Sequence, residues 1–311
     1  MFGLGVAFTY LPVVTISRQY FGSRRHGLAN GLVVSGGALG GSILPYIVRQ
    51  LMADLALAQT FRIVGYIAAG VLLPRIIILK PRSSQRYRAR SDPKPPLLDF
   101  SLLKDSRFIA LLATSTVAMI GFLPRFFLLP QSAIAQGISD SYASWLLGLM
   151  NGLSIVGRVG IGWLADRHGK VTALASSFIL CGSGHFLFWL PGVAVSAENA
   201  GAATALLTLF SIYTGILGSG FVSLFPVVVA DLFGAEILAS KVGLLNTVNG
   251  LGTLAGPSIV YAIIWNGVDL RWAVGVASAG IFMFVGGLTM VTTFSWLNKH
   301  SRDHEEAYQI D

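Results

Sequence analysis

Long apolar runs separated by short polar connections make up most of this chain. A helix needs roughly 20 predominantly apolar residues to cross the hydrocarbon core of a bilayer. Nine segments approach that length, and the pattern therefore predicts an all-α membrane protein with about nine transmembrane helices. The predicted spans are Met1–Ser17, Leu28–Val48, Phe61–Leu79, Phe108–Pro130, Tyr142–Leu164, Val171–Leu190, Ala202–Ala230, Ala239–Trp265 and Trp272–Leu297.

The composition supports a membrane location. Hydrophobic residues make up 54% of the 311 residues and charged residues only 12%, with a mean hydropathy of +0.69. Soluble domains carry roughly 25% charged residues, so the implied partner of this chain is the lipid bilayer. The 36 glycines are typical of membrane helices that pack through small residues. We expect close helix packing at the glycine run, which comprises Gly36, Gly37, Gly40 and Gly41.

The positive charges indicate an orientation. The net charge is +8, but the basic residues are dispersed between apolar runs, which argues against a nucleic-acid partner. Most Lys and Arg lie in alternate connections, and the positive-inside rule places those connections in the cytoplasm. The carboxyl terminus is then cytoplasmic, and Met1 lies on the far side. An apolar span thus begins at residue 1 on the non-cytoplasmic side. We therefore expect that three further spans precede it in a twelve-helix protein.

A basic, Pro-containing stretch divides the predicted spans. Pro81, Pro93, Pro95 and Pro96 lie among Lys and Arg residues, which predicts a flexible cytoplasmic linker with little apolar surface to bury. We expect residues 97–108 to include a short interfacial helix. The predicted organisation is a partial N-terminal bundle of three spans (1–80), a linker (81–106), a six-helix bundle (107–298) and a cytoplasmic tail (299–311).

The connection after the fifth predicted span reads GWLADRHGK. It resembles the G-x-L-A-D-R-x-G-R signature of the major facilitator superfamily, which follows the second or eighth of twelve helices in that family. The resemblance implies a bundle of the major facilitator type, here helices four to twelve, and secondary transport by alternating access. It also implies a conformational-gating motif that includes Gly162, Asp166, Arg167, Gly169 and Lys170. The alternative is a polar turn with a chance match.

A second connection, YFGSRRHGLANG at residues 20–31, resembles the segment after the fourth helix of the monocarboxylate porter family, particularly its fungal branch. Residues 151–169, 218–234 and 249–257 resemble that family's eighth, tenth and eleventh helices. The resemblance implies small, monocarboxylate-like organic anions as substrates and adds Arg24 and Arg25 to the gating motif. Proton coupling stays open, because Ser154 replaces an acidic residue that animal members use for it.

Arg158 is a cation inside a predicted span. Burying such a charge at the bilayer centre costs at least about 2.5–3.5 kcal/mol on insertion scales, so a retained charge usually faces a wet cavity or a partner. Asn151 and Ser154 share its helix face by their i, i+3, i+7 spacing, and in the resembling family an intramembrane arginine occupies this position. We expect these three residues to bind substrate. The alternatives for Arg158 are snorkelling to the surface and a structural pair.

Other polar residues in the spans are further substrate-binding candidates. Arg125 lies near the predicted outer end of its span, where it would either receive an anion at the external mouth or snorkel to the interface. Asn246, Asn249 and Thr253 repeat the i, i+3, i+7 spacing, and they would either line the pathway or form interhelical hydrogen bonds. Cys181 lies within an apolar run and is expected to be a packing residue.

The sequence contains no motif of a catalytic, cofactor or metal site. The glycine runs lack the Lys-Ser/Thr of a phosphate-binding loop, and neither a nucleophile elbow nor a pair of catalytic carboxylates is evident. We therefore expect no enzyme, but a multi-pass secondary transporter of small organic solutes in the plasma membrane. The alternatives are a transporter or efflux pump for a different organic metabolite, and a non-transporting truncated or receptor-like membrane protein.

Overall fold

The computed structural model describes residues 2–78, 100–195, 199–234, 238–266 and 271–308, and all regular secondary structure in these ranges is helical. The all-α prediction is therefore confirmed. A π-helical segment, His185–Trp189, joins α7 to α8, and short 3-10 helices lie at Ser23–Arg25 and Phe100–Lys104. The α-helices are α1 (Phe2–Tyr20), α2 (His26–Asp54), α3 (Leu57–Ile78), α4 (Ser106–Phe122), α5 (Pro124–Ala135), α6 (Asp140–His168), α7 (Lys170–Gly184), α8 (Leu190–Ala194), α9 (Ala200–Leu217), α10 (Gly220–Phe233), α11 (Leu238–Asn266) and α12 (Arg271–Tyr308).

Eight segments of the described chain are long and apolar enough to cross a membrane, and they coincide with the last eight predicted spans. The 19-residue helix α1 is not among them, because Arg18 and Gln19 lie in its last turn. The predicted number of about nine spans therefore becomes eight in the described ranges. The eight segments are His26–Asp54, Leu57–Pro74, Ser106–Ala135, Asp140–His168, Lys170–Ala194, Ala200–Phe233, Leu238–Trp265 and Trp272–Leu297.

The predicted linker and tail are only partly covered. Residues 79–99, most of the linker, lie outside the described residues. Within the region 97–108, Phe100–Lys104 forms a 3-10 helix, which agrees with the expectation of a short helix there. The tail predicted from residue 299 stays a prediction, and within it α12 continues to Tyr308. Its polar end is rich in residues such as Glu and Ala that favour helix, and helix formation does not require an apolar sequence.

Two of the predicted spans contain a break. Leu123 separates α4 from α5, since Pro124 begins a new helix and lacks the N–H that would continue the old one. The second break lies between Leu217, the last residue of α9, and Gly220, the first of α10. Ser177 of α7 bridges it: its hydroxyl donates to the Leu217 carbonyl at 2.6 Å and accepts the Gly220 N–H at 3.1 Å. This satisfies backbone groups that the hydrocarbon core leaves without water.

The seam between α2 and α6 is the most extensive helix contact in the described chain. α1 also reaches α2 and α11, and α2 reaches α10. Among the later helices, α12 packs against α4 and α7, α11 against α4, and α6 against α9. The seam therefore joins the first helices of the chain to the later ones. The predicted division into bundles of three and six helices stays a prediction.

Two glycines of α2 bring the seam into backbone contact. A Cβ at Gly27 would collide with the Gly162 carbonyl of α6, and a Cβ at Gly162 would collide with the Gly27 carbonyl. Gly31 makes the same kind of approach to the backbone carbonyl of Arg158. Small residues at these positions allow two membrane helices to pack without intervening side chains.

The glycine run of α2 packs differently from the prediction. Among the described residues, a Cβ at Gly36 would meet no atom within 4 Å, and one at Gly40 would meet only Leu44 of the same helix. Gly37 and Gly41 face side chains of α6 rather than its backbone. The run therefore leaves room beside α6 instead of bringing the two helices together.

Candidate functional site

Arg158 lies on α6 at the seam with α2. Its Nη1 donates a hydrogen bond to the Val34 carbonyl of α2 at 2.5 Å, and its side chain is half-buried. The Nε atom is buried and has no hydrogen-bond partner in the described chain. Among the described residues, an ion pair joins Lys170 to Asp231, and no carboxylate pairs with Arg158. The guanidinium therefore keeps both charge and donor capacity for another group.

Glycines of α2 make space for the polar face of α6. A Cβ at Gly37 would lie 3.7 Å from Nη1 of Arg158, and a Cβ at Gly41 would lie 3.6 Å from Oδ1 of Asn151. Ser154 is buried between these two polar residues along α6, but its hydroxyl donates to the Asn151 carbonyl of its own helix at 2.7 Å. The structure thus brings Arg158 and Asn151 to one face, while Ser154 is satisfied locally.

Arg125 is enclosed rather than placed at an outer mouth. The span continues through α5 well beyond this residue, and its side chain is only 3% exposed, which corrects the predicted position at the end of the span. Its guanidinium donates to the Cys181 sulfur of α7 and, at 3.4 Å, to the Gly218 carbonyl in the break between α9 and α10. It also lies over two aromatic rings, those of Phe122 at 4.2 Å and Phe126 at 4.9 Å.

The buried Arg125 and the half-buried Arg158 interact electrostatically. Arg125 and Tyr10 both lie close enough to Arg158 for an electrostatic interaction. Like charges repel strongly where little water screens them, and neither arginine has a carboxylate partner in the described part of the chain. An anion bound beside Arg158 would relieve this repulsion.

Cys181 has a contact that the sequence did not predict. It is fully buried, as expected for a packing residue, but its sulfur accepts the hydrogen bond from Arg125. A thiol in an apolar run is usually a small hydrophobic residue. The sequence therefore carried no signal of this contact, which depends on how α5 and α7 pack.

The candidates on α11 lie at a different interface. Asn249 is buried, and its Oδ1 accepts hydrogen bonds from Ser115 at 3.0 Å and Thr116 at 2.9 Å, both on α4. Thr253 donates to the Asn249 carbonyl at 2.9 Å, within its own helix, and Asn246 is half-buried. This geometry favours the interhelical hydrogen-bonding alternative for Asn249 and does not bring it to Arg158.

Asp166 joins the end of α6 to the start of α2. Its two carboxylate oxygens accept the backbone N–H groups of Gly27 and Leu28, each at 2.9 Å. These N–H groups lie in the first turn of α2, where unpaired donors and the helix dipole favour a negative charge. A carboxylate predicted from a motif thus makes a specific contact between two helices that are distant in sequence.

The other residues of the predicted gating motif lie near the end of α6 and before the start of α2. Arg167 lies 4.0 Å over the Trp163 ring, and Lys170 forms an ion pair with Asp231 of α10. Gly169 joins α6 to α7 with φ of +102°, a conformation that strains residues with a side chain. Arg24 and Arg25 are exposed in the 3-10 helix before α2.

Asn30 is a buried polar residue that the sequence reasoning missed. Its Nδ2 donates to the Ser223 carbonyl of α10 at 2.6 Å, and its Oδ1 accepts from Ser17 of α1 at 3.3 Å. It links three helices at the same end of the seam as Asp166. The available signal was an amide inside a small-residue helix face, which within a membrane requires an interhelical partner.

These features define a class: a multi-pass helical membrane protein with two arginines inside its helices that lack a carboxylate partner among the described residues, and with polar contacts across a helix seam, as found in transporters. Residues 125–309, more than half of the chain, match the Major Facilitator Superfamily. The chain belongs to this superfamily.

Relatives support the same class. The chain is 29% identical to the MFS-type transporter pynF of Aspergillus niger over 85% of this chain and 58% of that protein. It is 27% identical to the Aspyridones efflux protein apdF of Emericella nidulans, over 98% and 60% respectively. It is also 27% identical to Monocarboxylate transporter 12 of Mus musculus, over 83% and 57%. The chain thus spans under two thirds of the length of each of these relatives, and the predicted resemblance is confirmed.

Proposed function

We propose that this protein is a secondary active transporter that moves small organic anions, monocarboxylate-like ones included, by alternating access. The observation that carries the proposal is Arg158, a half-buried cation on the α2–α6 seam with no carboxylate partner among the described residues. Retained intramembrane charge usually marks a substrate or ion pathway. The similarity to a protein named as a monocarboxylate transporter supports an anionic substrate.

The chemistry of the seam suits a carboxylate. A guanidinium is planar and presents paired donors that match the two oxygens of a carboxylate. Nη1 of Arg158 donates to a backbone carbonyl, and its Nε has no hydrogen-bond partner among the residues that the structure describes. Asn151 adds an amide on the same face, and Arg125 adds a second positive charge within electrostatic range. In this proposal Arg158 and Asn151 contact the substrate, and Arg125 strengthens the positive electrostatic potential at the site.

The proposed conformational cycle opens and closes the end of the seam that carries Asp166. In the present structure that end is closed by the Asp166 contacts to α2 and by Asn30, which reaches α10. Alternating access requires helices on the two sides of a central site to rock against each other. The contacts at this end are formed in one state and broken in the other.

We also propose that the Asp166 end of the seam and the carboxyl terminus are cytoplasmic and that the host membrane is the plasma membrane. The basis is the positive-inside distribution of Lys and Arg. The two ends of α6 provide a matched test, since Ser139 and His168 are both exposed and Cys181 is buried.

In intact cells, a membrane-impermeant maleimide should label Ser139→Cys and leave His168→Cys unlabelled until the membrane is permeabilised. The physical reason is that the two positions lie at opposite ends of one membrane-spanning helix. Labelling of His168→Cys from outside, with Ser139→Cys protected, would reverse the proposed orientation.

The proposed substrate class is tested by binding and flux. A ligand that binds only the folded state stabilises it by mass action, so short-chain monocarboxylates should raise the Tm of the purified protein by several degrees at saturating concentration. Their neutral amides serve as the control and should have no effect. The same anions should exchange across proteoliposomes. Stabilisation by amides and acids alike would contradict recognition through a cation.

Export of an organic metabolite is a second candidate. It is favoured by the similarity to proteins named as efflux proteins for aspyridones and agnestins. Direction is measured by imposing opposite solute gradients on vesicles of known orientation. Proton coupling is measured in the same vesicles by an imposed pH gradient, and a flux that ignores the gradient would exclude it.

A further inference from the structure

A groove lies on the surface of α6, α7 and α9, away from the Arg158 seam. Its volume is about 110 Å³, and its lining is almost wholly apolar. Leu164, His168 and Thr172 form its exposed rim, and Ser177 and Leu217 lie at its floor. All three helices belong to segments long and apolar enough to cross a membrane, and the rim lies where α6 ends and α7 begins.

The groove is smaller than the usual site for a drug-sized ligand, and its apolar lining fits hydrocarbon. Sites for drug-sized ligands usually measure about 300–1,000 Å³. A short stretch of one acyl chain has this size and the required polarity.

Beside the groove, next to His168 at the end of α6, Arg167 carries a positive charge that no ion pair among the described residues neutralises. Asp166 is committed to the start of α2, and Lys170 is paired with Asp231. Arg167 instead lies over the Trp163 ring, with no ion pair in the described ranges. A tryptophan beside a cation at a helix end is typical of the membrane interface, where lipid phosphates lie.

The floor of the groove adjoins the break between α9 and α10, through Leu217 and Ser177. Ser177 lines the groove and also holds the backbone groups of Leu217 and Gly220 across that break. The Gly218 carbonyl of the same break accepts a hydrogen bond from Arg125. An occupant of the groove would therefore rest against a discontinuity inside the helical bundle.

We propose that this groove binds one anionic glycerophospholipid, with an acyl chain against Leu164 and Ser176 and the phosphate at Arg167 and His168. The occupied groove holds the break between α9 and α10 in the geometry described above. This site goes beyond the transport function and shares no residue with the Arg158 face.

The test uses phosphatidylglycerol that carries a photoactivatable diazirine in one acyl chain. The full chain is reconstituted in phosphatidylcholine nanodiscs with this probe, irradiated and mapped by mass spectrometry. We expect adducts on peptides of the groove and competition by unlabelled phosphatidylglycerol but not by inorganic phosphate. Ser176→Phe, which fills the groove, should abolish the groove adducts, and Thr172→Phe repeats the test at the exposed rim.

Two further variants complete the design. Arg167→Gln should weaken the apparent affinity for phosphatidylglycerol about fivefold, the value expected for one cation near an anionic surface. Leu209→Phe, an exposed substitution on α9 outside the groove, is the matched control and should change nothing. Adducts spread evenly over all exposed helices, or groove adducts unchanged in both filling variants, would overturn the proposal, as would equal competition by phosphatidylcholine or by inorganic phosphate.

Discussion

Replacing Arg158 by alanine is expected to abolish anion recognition while the protein still folds and inserts. Removing one member of a desolvated, hydrogen-bonded charge pair typically costs 2–5 kcal/mol, which corresponds to about 30-fold to more than 1,000-fold weaker binding. The variant should lose the anion-induced rise in Tm and the anion flux. Both are measured on purified protein that elutes as the wild type does and has the same helical content.

Two other substitutions on α6 separate charge from geometry. Arg158→Lys keeps the positive charge but loses the planar fork that holds a carboxylate at two points, so we expect weakened binding rather than its loss. Ser154→Ala is the matched control, because the Ser154 hydroxyl donates to its own helix rather than to the Arg158 face. Near-normal anion binding by Arg158→Ala would show that the arginine is a tolerated structural residue and would remove the site proposed here.

Replacing Asp166 by alanine is expected to open the end of the seam that is closed in this structure. The two hydrogen bonds from Gly27 and Leu28 are charge-assisted and join helices that separate in the proposed cycle. A hydrogen bond to a charged group contributes about 1.5–3 kcal/mol. Losing about 2 kcal/mol from the closed state alone would shift the closed-to-open ratio about 30-fold.

The shift is measured as a distance between spin labels at Phe21→Cys, after α1, and Thr172→Cys, on α7. Both positions are exposed. Asp166→Ala should move the distance distribution to longer values. Asp231→Ala is the control, since it removes a carboxylate that pairs with Lys170 of α7 and makes no hydrogen bond to α2 among the described residues. Equal distributions in the wild type and Asp166→Ala would show that Asp166 is not part of a gate.

The sequence by itself determined the class of the protein and most of its helices. Inside a bilayer every backbone N–H and carbonyl must be satisfied within the chain, so an apolar run of sufficient length is driven into a helix by local rules alone. For this reason the last eight predicted spans reappear as membrane-spanning segments. The motif around Asp166 is one continuous stretch of sequence, so it indicates the superfamily without reference to any contact between helices.

Only the tertiary structure decided which faces of those helices meet. The spacing favoured Gly36 and Gly40 as packing positions, but Gly27 and Gly31 make the backbone contacts. The cause is that membrane helices are apolar on all sides, so hydropathy does not mark the buried face. Which face is buried depends on the shape of the partner helix, and α6 offers Gly162 opposite Gly27.

The contacts of the polar residues were also decided only by the tertiary structure. Arg125 appeared close to a span end, but the helix restarts at Pro124 and continues, which encloses the guanidinium between Cys181 and the break at Gly218. Asn249 and Asn151 share the same sequence signal, an amide inside an apolar helix. One is hydrogen-bonded to α4 and the other faces the Arg158 seam. The helix that carries a side chain fixes the direction in which it points. Its contact partners, however, lie on helices distant in sequence, and the hydropathy pattern does not show which helices become neighbours.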